Sequence, residues 1–331
     1  MATDETSTST ADVWTVQRIL LWTSSFLKQK GVEAARLEAE LLLSHARQCA
    51  RIHLYTDMNA IVTDDERTRM REMVQRRAKR EPLAYIVGHR EFYGRRFDVG
   101  TGVLIPRPET ESLVDVCLES IPKEGTSRII EIGFGSGCIA VTIALQRQQT
   151  RITATDISPA AMDFATRNCT RHQVQDRVTL VAGSALEPFF CADGQIQDPS
   201  TLQGSAADSA TSPAGETALP DSPVLWDGLV SNPPYVRDDE WADLQPEVGL
   251  HEPREALLAG TDGLDVVRLI VQNASQLLKP GAFIAMELDP DQCQTAAELF
   301  SKSGFTACRV RKDLSGNDRI VQGIRSEPSS T

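Results

Sequence analysis

The chain has no Cys-x-x-Cys pair. Its seven cysteines (Cys49, Cys117, Cys138, Cys169, Cys191, Cys293 and Cys308) are scattered and odd in number, which excludes a disulfide framework and reads as reduced, buried thiols. The five histidines, His45, His53, His89, His172 and His251, share no ligand spacing, so no metal site is expected. No apolar run reaches the roughly 18 residues that span a bilayer, and the polar, acidic opening MATDETSTSTAD is unlike a signal peptide. Basic excess is missing too: the formal charge of −12 excludes general affinity for a nucleic acid backbone. There is no internal repeat. The expectation is a soluble cytoplasmic protein with no membrane association and no direct nucleic acid binding. At 331 residues, 41% hydrophobic and 24% charged, it has material for two domains.

Residues 1–11 read as a disordered tail. From there, Val16, Ile19, Leu20, Leu27, Leu37, Leu41 and Leu42 recur at helical spacings of three and four. Thr63-Asp64-Asp65-Glu66 supplies an N-cap and an acidic first turn for a helix running to Arg80, and Glu81-Pro82 stops it. Residues 12–81 are therefore a helical domain of about 70 residues. In 82–106, glycines at 88, 94, 100 and 102 among aromatic and β-branched residues predict a hairpin-like connector.

From Arg107 strands and helices alternate. Strands are read at Arg128–Ile132, Ile152–Thr155, Val178–Ala182, Leu229–Ser231 and Ala282–Leu288, with helices ending near Gln146 and spanning Ser158–His172. Such alternation predicts an α/β domain over 107–325, its parallel sheet covered by helices, with ligands beyond the carboxyl ends of the strands. Residues 192–222, rich in Ser, Ala, Gly, Asp, Thr and Pro, read as a low-complexity, disordered insertion. Residues 326–331 are a tail.

Two loops carry chemistry. Ser231-Asn232-Pro233-Pro234-Tyr235 follows a short buried strand. Its prolines lock φ and donate no N–H, while their carbonyls still accept. Asn232, preceding a proline, is pushed to extended geometry that holds its side chain out. With the flat face of Tyr235, this acceptor cluster suits the NH2 of a planar amide or amine. The second loop, Glu131-Ile132-Gly133-Phe134-Gly135-Ser136-Gly137, lies between a strand and a helix, where glycines let backbone approach a ligand and the helix start offers free N–H groups. A turn that merely packs strand on helix would look the same. About 20 residues on, Asp156 can accept from both hydroxyls of a ribose. It could instead be an N-cap, but Ser158-Pro159 supplies that cap better. The spacing departs from G-x-G-x-x-G, and Glu131 would repel a pyrophosphate but pair with a cationic methionine amine. Electrostatics thus lean toward S-adenosylmethionine over a dinucleotide.

Further runs make the chain resemble the release factor glutamine methyltransferases of the PrmC/HemK type. They are Glu81 to Gly88, Glu91-Phe92-Tyr93-Gly94, Leu104-Ile105-Pro106-Arg107-Pro108-Glu109-Thr110-Glu111, His251-Glu252-Pro253, Asp262-Gly263-Leu264, Pro280-Gly281 and Asp318-Arg319-Ile320-Val321, beside the two loops and Asp156-Ile157-Ser158. Asn-Pro-Pro-Tyr is shared with adenine-N6 methyltransferases; the Arg107–Glu111 run discriminates better. The resemblance implies a Rossmann-like, class I S-adenosylmethionine-dependent methyltransferase sheet of seven strands, preceded by a small N-terminal helical bundle that binds substrate. It implies methylation at N5 of the glutamine in the Gly-Gly-Gln motif of class I peptide chain release factors. A ribosomal protein glutamine, or adenine N6 of nucleic acid, is the alternative substrate.

Carried over by this resemblance, Glu131, Gly133, Phe134, Gly135, Ser136 and Gly137 line the methionine, Asp156 the ribose, and Ser184 and Ala185 the rest of the cofactor, with Asn232 touching it as well. Asn232, Pro233, Pro234 and Tyr235 take the glutamine, and Asn232, Pro233 and Tyr235 act in the transfer without a general base. The family commonly has Asp where Glu131 stands. It also usually offers an Asp and often an aromatic to the adenine, where this chain has Gly183-Ser184-Ala185; Leu186 or Phe189 is the expected substitute. The protein is expected to be a monomer. Ten Arg or Lys within 67–96 read as a solvated helix face or as a dock for an acidic partner. Trp14 and Trp22, eight residues apart, are expected to pack inward.

Overall fold

The computed structural model describes residues 13–198 and 225–327. The expected tail at 1–11, residues 199–222 of the insertion and residues 328–331 lie outside the described residues. In chain order come α1 (Val16–Gln29), α2 (Ala35–Arg47), α3 (Ile52–Thr56), α4 (Asp64–Ala78), α5 (Leu83–Val87), β1 (His89–Phe92), β2 (Arg95–Asp98) and α6 (Glu109–Ser120). Then follow β3 (Ser127–Ile132), α7 (Cys138–Gln146), β4 (Thr150–Asp156), α8 (Pro159–Arg171), β5 (Val178–Ala182) and β6 (Trp226–Ser231). The last are α9 (Pro246–His251), α10 (Asp265–Leu277), β7 (Leu278–Glu287), α11 (Cys293–Lys302), β8 (Phe305–Lys312) and β9 (Asp318–Arg325). These form two compact units: one of residues up to Gly88 with Pro246–His251, the other of His89–Gln245 with the residues from Glu252 onward. No described helix is long and apolar enough to cross a membrane.

The first unit is helical. Thr63 and Glu66 close a capping box at the start of α4, each side chain satisfying the other's backbone N–H. Its core joins Leu20 and Leu27 of α1 to Leu42 and Leu43 of α2 and Met70 and Val74 of α4, each side chain contributing about 1.5–3 kcal/mol by leaving water. The buried stripe of α2 runs through Ala35, Ala39, Leu42, Leu43 and Ala46, which leaves Leu37 and Leu41 partly exposed, contrary to the sequence pattern. Trp22 also departs from expectation: it is 52% exposed and stacks on Phe26, ring centroids 5.2 Å apart. Leu83–Val87, expected in a connector, is the helix α5, ended by Gly88 at φ 78°.

The basic stretch is largely structural. Arg77 is buried between Glu38 and Glu247, its Nη2 2.8 Å from the latter, while Arg80 reaches the other Glu247 oxygen at 2.6 Å and Arg76 pairs with Glu81. Burial opposes ionisation of Glu247, but hydrogen bonds from Arg77 and Arg80 outweigh it and hold this carboxyl below its ordinary range. Arg77→Met, which keeps the stem and removes the charge, strands Glu38 and leaves Glu247 to Arg80 alone, and is expected to cost about 3 kcal/mol in urea denaturation. A folded-state pKa below the unfolded one contributes stability above the unfolded value, near 4.3, and that contribution is lost as pH falls through the folded value. The variant's deficit is therefore expected to shrink below about pH 4.

In the second unit β1 and β2 form an antiparallel hairpin, and the main sheet has the order β5-β4-β3-β6-β7-β9-β8. Strands β3 to β7 are mutually parallel, and β9 runs antiparallel to both neighbours. The alternating pattern alone does not show β8 and β9; with them the sheet has the seven strands the resemblance implies. From β3 the chain steps outward to β5 and returns on the other side as β6, so the order reverses between β3 and β6. A crevice opens at such a reversal because the connections leave in opposite directions. The core beneath it packs Ile130, Ile132, Leu229, Ile284 and Met286 against α10 and α11. Of the expected insertion, residues 192–198 are folded back: Phe190 bridges Ile196, and Asp198 pairs with Arg128.

Candidate active site

Parallel register sets the site. Ile132 pairs with Ser231, so the glycine loop leaving β3 and the Asn232-Pro233-Pro234 turn leaving β6 emerge side by side. Ser231 Oγ donates to the Ile132 carbonyl at 2.8 Å, tying the two ends together. A cleft of about 180 Å3 opens above them, lined by Gly133, Gly135, Asp156, Ser184, Ala185, Asn232, Pro233 and Pro234. Leu104, Ile157, Pro253, Glu255, Val266 and Leu269 also line it, and these the sequence reading missed.

Gly133, Gly135 and Gly137 all have left-handed backbone, φ 76°, 51° and 78°, which side chains resist. Gly135 N–H donates to Asp156 Oδ2 at 2.8 Å and Ser158 N–H to Oδ1 at 2.9 Å, so both carboxylate oxygens are pinned with lone pairs to spare. Burial raises the Asp156 pKa; these amides oppose the shift, and nearby Glu255 adds to it. Ser158, not Asp156, caps α8, accepting from Ala161 N–H at 3.2 Å. Thr155 Oγ1 donates to the Ala185 carbonyl at 2.8 Å, holding the turn after β5 against the cleft.

Several expected contacts are absent from the lining. Glu131 is fully buried, and burial drives its pKa well up, the Ala140 backbone amide opposing the shift and the Asp156 charge adding to it. It does not line the cleft; its charge is felt by Cys117 and Cys138 on the helix side and by Asp156 in the cleft wall. Phe134 and Ser136 are buried, and Gly137 is the N-cap of α7, where an added Cβ would stand 3.3 Å from Ala165. They shape the loop from behind. Tyr235 lies partly buried against the core under the cleft, and its backbone carbonyl accepts from Gln292 Nε2 at 2.8 Å. Burial, with the nearby Glu287 charge, pushes its phenol up to about 12. Leu186 and Phe189 are core residues and do not line this cleft. The apolar surface beside Asp156 comes instead from Ile157, 58% exposed, and from Leu269. Position, immediately after Asp156, was the signal for Ile157. Glu252 is the other omission: buried, it accepts from Ile105 N–H at 3.1 Å and Arg107 Nη2 at 2.6 Å, fixing the segment that walls the cleft.

Glycine-lined backbone, a pinned carboxylate and an apolar wall fit an adenosyl group with an amino acid tail. Among the described residues no cluster of three or more His, Cys, Asp or Glu could hold a metal ion. In comparisons with known proteins, residues 18–88 match the PrmC N-terminal domain family and residues 92–210 the methyltransferase small domain family. A release factor glutamine methyltransferase of Geobacter sulfurreducens is 40% identical over 96% of this chain and 99% of its own length. That of Rhodopirellula baltica is 37% identical over 96% and 98%. Among solved structures the hMettl16 catalytic domain, 16% identical, aligns with a TM-score of 0.50 over 82% of this chain and 86% of its own, a likeness of fold alone. Identity of this degree along almost the whole length places the chain in the release factor glutamine methyltransferase family.

Proposed function

We propose that the protein transfers a methyl group from S-adenosylmethionine to the side-chain amide nitrogen of the glutamine in the Gly-Gly-Gln motif of class I peptide chain release factors. The observation that carries this reading is the register that sets Asn232 and Pro233 beside the glycine loop and Asp156. In the cleft, Asp156 would take the ribose hydroxyls, Ile157 and Leu269 the flat face of the base, and Gly133 and Gly135 the methionine backbone. When bound, the cofactor supplies an electrophilic methyl on a sulfonium.

The chain's own task is geometric. An amide nitrogen is a poor nucleophile, its lone pair delocalised and its proton too weakly acidic to remove first. Asn232 Oδ1 and the Pro233 carbonyl can each accept one N–H of the glutamine, holding the nitrogen toward the methyl and stabilising positive charge as it develops. The proton leaves after transfer, so no side chain has to act as a base. The carboxylates lining the cleft are Asp156 and Glu255, and Asp156 is committed to backbone amides. The same grip would suit adenine, but a chain of net charge −12 is poorly suited to nucleic acid. Translation termination sets the reaction in the cytoplasm.

Incubation with a release factor and S-adenosylmethionine is expected to add one methyl group to the Gly-Gly-Gln glutamine, read by mass spectrometry of its peptides. Methylation of nucleic acid with an unmodified glutamine would replace this reading with the adenine one.

A further inference from the structure

Asn232 can serve as an acceptor only if its oxygen, not its nitrogen, faces the cleft. The two ends of a side-chain amide are nearly the same size, so shape alone does not choose. The choice is made behind the cleft. Asn232 Nδ2 donates to Thr110 Oγ1, in the first turn of α6, at 3.1 Å. The Thr110 hydroxyl in turn bonds the carboxylate of Glu287, the last residue of β7. Ser231 pairs with Met286, so Asn232 and Glu287 are the next residues along adjacent parallel strands. Thr110 is 2% exposed and Glu287 1%, and neither lines the cleft. An ionised carboxylate only accepts, so Thr110 must donate to it; its lone pairs then face Asn232, which must offer N–H.

We propose that Thr110 and Glu287 form a positioning relay that keeps the Asn232 carbonyl oxygen turned to the substrate amide. This rests on the reading above, in which Asn232 accepts from the glutamine. Glu287 is held in its acceptor state by limited means. Burial raises its carboxyl to about 7, against the Thr110 hydrogen bond, with Arg319 of β9 and Arg107 pulling down and Glu109 of α6 pushing up. Tyr235 beyond β6 and Cys138 of α7 also feel its charge. The second oxygen, Oε2, has no partner among the described residues, so a proton can settle there. Once protonated there, the carboxyl can turn to present that O–H to Thr110, which is then free to donate to Asn232 Oδ1 and turn the amide round. Ionised Glu287 is the active form, so kcat is expected to rise with pH through about 7.

Wild type must first methylate a release factor; if it does not, the functional reading fails and not the relay. Given that activity, Thr110→Val is expected to lower kcat about tenfold, the value of one oriented hydrogen bond, with KM for cofactor and release factor within about threefold. Thr110→Ser, which keeps the hydroxyl, is expected to retain at least about a third of wild-type kcat. Glu287→Gln, able to donate or accept, should show a similar loss together with a kcat flat across the window where wild type rises. If Thr110→Val lowers the Tm so far that it cannot be assayed, Glu287→Gln and its pH profile decide. Unchanged kcat in either variant, a Thr110→Ser as slow as Thr110→Val, or an unaltered pH profile in Glu287→Gln overturns the relay.

Discussion

Asn232→Ala is expected to reduce kcat by about 10³-fold or more while the dissociation constant for S-adenosylmethionine, measured by calorimetry, changes less than about threefold. The effect is large because the substrate has no reactivity of its own to fall back on. A side chain that strips a proton can be replaced in part by water, but one that holds an amide nitrogen in line with an electrophile cannot. Removing a single preorganised partner of developing charge costs about 10²–10³ in kcat in acyl transfer; here Asn232 supplies both orientation and charge stabilisation. Affinity for the cofactor should survive because the anchors proposed for it, Gly133, Gly135 and Asp156, lie at the ends of β3 and β4 rather than β6. The Thr110–Glu287 pair remains in that variant with nothing to orient, so combining it with Thr110→Val should add no further loss, whereas independent residues would multiply. Turnover by Asn232→Ala within about tenfold of wild type would move the grip elsewhere, to the Pro233 carbonyl alone.

How far these roles were visible beforehand follows from what each signal measures. The two loops were legible because glycine and proline mark backbone that side chains resist: the left-handed φ at Gly133, Gly135 and Gly137 is a local property that sequence writes locally. The reversal of strand order that joins the loops was less so. It depends on β6 returning beside β3 across nearly a hundred residues, which alternation permits without specifying. Glu131 illustrates the limit. Its charge and its place beside a ligand-binding loop suggested a salt bridge with the cofactor, but the two-residue period of β3 sets it on the face of Ile129, buried and outside the cleft lining. Glu287 escaped for the opposite reason: nothing in its own neighbourhood marks it, and only the β6–β7 register brings it beside Asn232. Leu186 and Phe189 were expected at the adenine, but apolar residues after a strand serve a core as readily as a ligand. Both go to the core, and the exposed Ile157 is left to the cleft.

Asp156→Ala is expected to weaken cofactor binding about 10²- to 10⁴-fold, since hydrogen bonds to a charged group contribute about 1.5–3 kcal/mol each and two ribose hydroxyls lose theirs. Part of that loss is indirect. Asp156 Oδ2 also holds Gly135 N–H, so the variant loosens the glycine loop and removes the ribose acceptor together. Asp156→Asn should do little better, because one end of its amide must set an N–H against the N–H of Gly135 or Ser158. The charge has a pH signature as well. Burial lifts the Asp156 pKa above its usual value, while ribose hydroxyls bond best to the ionised form. Binding must then expel a proton once the free protein is protonated, so affinity should fall as pH drops through the raised pKa, and proton release should appear in calorimetry as a dependence on buffer ionisation enthalpy. Neither feature should persist in Asp156→Ala. Because this titration governs cofactor affinity and that of Glu287 governs kcat, the two are separable by measuring binding and single-turnover rates over the same pH range. A dissociation constant for Asp156→Ala within about threefold of wild type would assign the ribose to another group, with Glu255 across the cleft the next candidate.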